Sequence, residues 1–182
     1  MLNDKQKIAL RKSASRRVRR SWAALGVLGG LALTTGLVEA AWTVAMKPDP
    51  VTRQTRCLLS SEPQTTSDGY DTTPVTLIFN GSSLLVVTES EIDQSFADLQ
   101  LVVDKNPPLR ADKLERNMIL VFGQDVPNLV QQFRVGHQAT LYLRFWPSWP
   151  ATQLFPVQFS LAGFSKAHDG LNNNCQPPAK PG

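Results

Sequence analysis

Histidine and cysteine are scarce in this chain, with two of each among 182 residues. A structural zinc site takes four protein ligands, and His137 and His168 each stand alone in the sequence, apart from Cys57 and Cys175. No metal centre is therefore expected. The strings that announce common chemistries are missing too: there is no G-x-S-x-G nucleophile elbow, no G-x-x-x-x-G-K-[ST] phosphate loop and no G-x-G-x-x-G turn. With no nucleophile, metal cluster or phosphate cradle to assign, the chain reads as a protein that is not an enzyme and carries no cofactor. His137 then reads as a polar loop residue and His168 as a surface or partly packed one. Five acids, Glu89, Glu91, Asp93, Asp98 and Asp104, precede the next base, Lys105. A calcium loop spaces its oxygen ligands more tightly around a glycine, so this stretch reads as a solvated acidic connection.

Positive charge is also thin where a nucleic-acid binder would need it. The formal charge is +4, but the first 20 residues hold eight Lys and Arg against one Asp. The remaining 162 hold 11 basic against 14 acidic side chains, a net −3. The basicity is local, and no basic face is left to meet phosphates.

What is present begins with that N-terminal cluster. Arg16, Arg17, Arg19 and Arg20 close a basic segment over residues 1–21, and the chain then runs apolar from Trp22 to Met46 with one charge, Glu39. Trp22 and Trp42 are 20 residues apart, which on a helix is ~30 Å, the thickness of a hydrocarbon core. A transmembrane helix over 22–46 is expected, with Trp22 and Trp42 as interfacial anchors and the arginines setting a cytoplasmic N-terminus. A cleaved signal is the competing reading. Val38-Glu39-Ala40 before Ala41 suits a signal peptidase, and Ser15-Arg16-Arg17 resembles the start of a twin-arginine signal.

Residues 47–73 are rich in Pro, Thr, Ser, Gln and Asp and read as a polar stalk. A β-rich domain is expected over 74–175, followed by a flexible tail at 176–182. Runs at 75–79 and 82–88 flank Asn80-Gly81, a pair suited to a tight hairpin turn. Further strands are expected at 99–103, 118–122, 140–145 and 155–161. Asp125, with Pro127 in the first turn and Gly136 at the end, marks one short helix whose buried face is Leu129, Val130 and Phe133. Ser165 marks a second, running to Asn172. The class is mostly β with minor α, an antiparallel sandwich or small barrel with two short helices.

Cys57 and Cys175 flank the folded region and are expected to pair in an oxidising compartment. The most distinctive string is Phe145-Trp146-Pro147-Ser148-Trp149-Pro150, a stiff aromatic loop. Two readings stand: Phe145, Trp146 and Trp149 form a binding loop, or the indoles close over the core.

From residue 121 to 175 the order is capped helix, Gly136, strand, loop, then Ser160-Leu161-Ala162-Gly163-Phe164 followed by Ala167. This resembles the closing part of the invasion-associated locus B family. The resemblance implies an exported β-rich accessory domain of bacterial envelopes, although this chain lacks the family's additional cysteine pair. The functional expectation is a non-catalytic inner-membrane protein presenting a disulfide-closed domain in the periplasm. Its partners would be membrane lipid and another envelope protein or itself, without nucleic acid. The alternative is a secreted or periplasmic ligand-binding protein released after Ala40.

Overall fold

The computed structural model describes residues 41–149, 153–172 and 175. The basic segment with Arg16, Arg17, Arg19 and Arg20, the anchor residue Trp22, most of the expected span and the 176–182 tail lie outside the described residues. Among the described residues no helix is long and apolar enough to cross a membrane.

Eleven strands and two helices follow in the order β1 Trp42–Pro48, β2 Thr55–Ser61, β3 Gln64–Ser67, β4 Thr72–Phe79, β5 Leu84–Thr88, β6 Gln100–Val103, β7 Leu109–Arg110, β8 Lys113–Glu115, β9 Ile119–Phe122, α1 Val126–Val135, β10 Gln138–Leu143, β11 Phe155–Ser160 and α2 Phe164–Asn172. All pairings are antiparallel. The larger sheet runs β1-β2-β4-β5-β9-β8, with β3 also on β4, and the smaller runs β11-β10-β6-β7. The mostly β class with two helices is as expected.

Alternation builds the core between the sheets. Val75, Leu77 and Phe79 of β4 face Leu141 and Leu143 of β10 and Val157 and Phe159 of β11 within one buried cluster, as period-2 patterning requires. β5 and β9 are buried on both faces: Leu85, Ile119 and Val121 form a second cluster on the outer side with Val51. The β1–β2 loop is held over them by Arg116, whose Nη1 and Nη2 donate to the carbonyls of Pro50 at 2.9 Å and Val51 at 3.2 Å. Asp49 fixes the root of that loop. Fully buried, it accepts from the backbone N–H of Val51 at 2.8 Å and Thr52 at 3.0 Å and from Asn80 Nδ2 at 2.9 Å.

The structure corrects the expected boundaries. Trp42 is 3% exposed, packs edge-on against Phe133 and Phe164, and donates its indole N–H to the Ser160 carbonyl at 2.9 Å. It is a core residue in β1 and not a membrane-interface anchor, so the apolar run that a span could use stops short of the strand. The supposed stalk is β-structure as well: β2, β3 and the start of β4 occupy it. Its prolines punctuate strands without abolishing them. Pro48 ends β1, Pro50 lies in the loop, and Pro63 sits between β2 and β3.

The turns are also rearranged. The 80–83 loop does not use Asn80-Gly81 as its central pair. Phe79 pairs with Leu84, Gly81 takes the positive φ of 91°, and the Asn80 side chain accepts from the N–H of Ser82 at 3.1 Å and Ser83 at 2.9 Å. A turn with two positive-φ central residues, the sense hairpins favour, occurs instead at Arg116 and Asn117.

Asp125 precedes α1 with a left-handed φ of 47° and makes no side-chain cap bond. Gly136 is required by space: a Cβ there would come within 2.6 Å of Val103 Cγ1 and 2.7 Å of the Gln132 carbonyl. Ser165 lies inside α2, where its hydroxyl donates to the Arg134 carbonyl at 2.9 Å and joins the two helices. The Cys57–Cys175 disulfide is present, with Cα atoms 5.6 Å apart.

Candidate functional site

The β10–β11 connection carries the aromatic string. Its first residues continue the parity of β10, so Phe145, like Leu141 and Leu143, faces the core; it is 2% exposed and bridges to Ile92. Phe145 is therefore not part of a contact surface, a correction to the expected binding loop. Trp146 and Trp149 turn outward, 62% and 78% exposed. Neither indole acts as a lid on the core.

The acidic stretch preceding β6 fixes this loop. Trp146 N–H donates to the Glu91 carbonyl at 2.8 Å, and Asp93 N–H donates to the Arg144 carbonyl at 2.9 Å. The buried Asp93 carboxylate accepts from Ser95 N–H at 2.8 Å and from the Ser148 hydroxyl, which lies between the two tryptophans. Burial pushes the Asp93 carboxyl up, but the Ser148 and Ser95 hydrogen bonds and the Arg144 charge outweigh it, so its pKa lies below the ordinary carboxylate value. Arg144 forks onto Asp98, with Nε 3.1 and 2.9 Å from its two oxygens, and lies over the Phe96 ring at 4.3 Å. Asp104 accepts from the N–H of His137 at 3.0 Å and of Gln138 at 3.0 Å.

Three of the five acids thus do structural work, a correction to the solvated connection expected there. Glu89 and Glu91 remain exposed, and neither forms an ion pair among the described residues. Among the described residues no cluster of His, Cys, Asp or Glu is arranged to hold a metal.

Beside Trp146 opens a cleft of about 310 Å³ whose walls include Glu91, Gln94, Leu114 and Asn117. Gln94 also borders a second cleft of about 260 Å³ that reaches Phe96 and Lys113. No protein-family model, curated protein or solved structure matches the chain. The site is therefore defined by its geometry: two outward indoles on a loop pinned at Ser148, beside a cleft lined by the Glu91 carboxylate and two side-chain amides. Gln94 and Asn117 come from separate connections and were not singled out from sequence. The one local signal was Asn117, a residue tolerant of positive φ between two β runs.

His137 is exposed, as expected of a loop residue. His168 is half-buried, its ring against Phe79 and Phe164, with Arg134 Nη1 3.3 Å from Nδ1.

The loop also has a defined place in the hairpin. Trp42, where the chain enters the fold, meets Ser160 at one end of β11. The tryptophan loop joins the opposite ends, Leu143 and Phe155. The six paired positions of each strand separate them, a span of about 17 Å.

Proposed function

We propose that the chain is a non-catalytic binding component of a bacterial envelope. Its N-terminal segment is held in the inner-membrane lipid, and its disulfide-closed β domain meets another envelope protein, or a second copy of itself, in the periplasm. One observation carries this reading: two large indoles stay exposed on a loop fixed through the Ser148–Asp93 hydrogen bond. Tryptophan is enriched in interface hot spots, and backbone already held at Ser148 reduces the ordering that binding would have to impose on the loop. Within the β10–β11 hairpin the loop lies at the end opposite the Trp42–Ser160 contact. The reading involves no nucleic acid and no cofactor.

A second reading, release by cleavage after Ala40 as a periplasmic or secreted protein resembling the invasion-associated locus B family, is favoured by one feature. β1 begins at Trp42, so the fold starts almost at the cleavage position.

The test combines topology and contact. In intact cells, a photo-crosslinking residue at position 149 should capture a partner from outside the cytoplasm, while one at Gln158 on the exposed side of β11 should not. Equal capture at both positions would remove the loop from the function. Intact mass and carbonate extraction of the same cells distinguish an anchored full-length chain from a soluble species starting at Ala41.

A further inference from the structure

We infer that the tryptophan loop receives the proline-containing C-terminal segment of a second copy of this chain. This rests on the reading of that loop as the contact surface, and it names the partner. After Cys175 the sequence is Gln176-Pro177-Pro178-Ala179-Lys180-Pro181-Gly182. Pro178 and Pro181 stand in a P-x-x-P frame, which favours an extended polyproline II segment with three residues per turn and no internal hydrogen bonds.

Such a segment is recognised by aromatic side chains that receive the proline rings, by donors that reach its free carbonyls, and by a charge matching its basic residue. The site holds all three. Trp146 and Trp149 supply exposed indoles. Gln94 and Asn117 line the cleft beside Trp146, and their side-chain amides make no hydrogen bond to another described residue. Glu91 in the same cleft forms no ion pair among the described residues and complements Lys180. The net −3 of residues 21–182 adds no competing cation field.

A segment that seats both prolines must come from another copy, because the chain's own Pro178 cannot reach. Cys175 is bonded to Cys57, which lies on β2 beyond the Leu59–Phe79 pair. The tryptophan loop lies at the other end of β4: Trp146 is bonded to Glu91, and Ser90 N–H donates to Thr73 Oγ1 at 3.2 Å. From Thr73 to Phe79 alone is about 20 Å. Pro178 stands three residues from Cys175, a reach of at most about 11 Å. Contact between a tail on one copy and a loop on another is heterologous, so it joins copies without requiring a shared patch.

The test uses the full chain in detergent micelles, sedimented over a range of protein concentrations, beside a chain truncated after Cys175. The full chain should associate with rising concentration, whereas the truncated chain, Trp149→Ala and the double variant Pro178→Ala/Pro181→Ala should remain monomeric. A labelled peptide with the sequence of residues 176–182 should bind the truncated chain saturably. Trp149→Ala should weaken that binding about tenfold or more, and Glu91→Lys about two- to fivefold, with Lys180→Glu in the peptide restoring the Glu91→Lys loss. Association unaffected by truncation, or a peptide that fails to bind, would overturn the inference. A different protein crosslinked at position 149 together with a non-binding peptide would leave the contact surface standing and remove only this occupant.

Discussion

The indole N–H of Trp42 donates to the Ser160 carbonyl 118 residues later in the chain, at 2.9 Å. The first strand is thereby tied to the last, at the end of the sandwich where both helices pack.

That tie makes Trp42 a measure of fold stability. Trp42→Ala should cost about 3–5 kcal/mol, the range for emptying a large buried side chain. Trp42→Phe retains most ring contact and gives up one hydrogen bond, about 0.5–1.5 kcal/mol of direct loss. Urea denaturation followed by far-UV circular dichroism reads both values. An unchanged midpoint for Trp42→Ala would mean that the residue lies outside the folded core.

Reduction should lower the melting temperature. The Cys57–Cys175 bond joins residues 118 apart, and the chain-entropy estimate for a loop of that length is about 4–5 kcal/mol. Melting before and after reduction, with thiol formation confirmed by mass, tests this. A chain that melts at the same temperature when fully reduced gains nothing from the bond.

Acid should destabilise the fold in two phases. Burial, assisted by the Arg134 charge against an opposing pull from Asp169, holds the His168 pKa below its ordinary 6.5. The unfolded chain therefore takes up this proton at a higher pH than the folded one, and stability falls as pH drops below about 6.5. Asp49 and Asp93 have folded pKa values below 3.8: burial pushes each up, but hydrogen bonds from Thr52, Val51 and Asn80 and from Ser148 and Ser95, with the Arg56 and Arg144 charges, prevail. Their contribution is present above the unfolded value and is lost as pH falls through the folded ones. His168→Gln should abolish the first phase and leave the second. A melting temperature that stays level from pH 7 to pH 5 in the wild-type chain would contradict the His168 assignment.

Two glycines should respond in opposite directions. Gly136→Ala drives a methyl toward Val103 and the Gln132 carbonyl and should destabilise by about 1–3 kcal/mol. Gly170, inside α2, has nothing within 4 Å of an added Cβ, so Gly170→Ala should stabilise by up to about 1 kcal/mol. Paired denaturation curves check the sign at each site.

The strands legible in the sequence were those with apolar alternation or dense apolar runs: β4, β5, β6, β9, β10 and β11. β1 was hidden because Trp42 reads as the end of an apolar run, although its indole needs the Ser160 acceptor contributed by β11. β2 buries polar residues by pairing them: Ser61 Oγ accepts from Leu77 N–H at 3.0 Å, a partner invisible to composition. β3 has no apolar residue at all, and β7 and β8 are two and three residues long.

The two tryptophans were legible as a string, but their outward direction was not. It follows from Asp93 capturing Ser148, two residues 55 apart in sequence. Phe145 was separable in principle, since it continues the inward parity of β10. The cleft was not legible, because Glu91, Gln94 and Asn117 meet Trp146 only after three connections converge.

The cystine also decides what happens to this fold after cutting. A protease that severs one loop between residues 57 and 175 leaves fragments joined through sulfur and clasped by the antiparallel pairings on either side. The nicked molecule would run as one band until a reductant is added. Connections such as the tryptophan loop are thus free to be long, aromatic and exposed without their scission releasing half the domain.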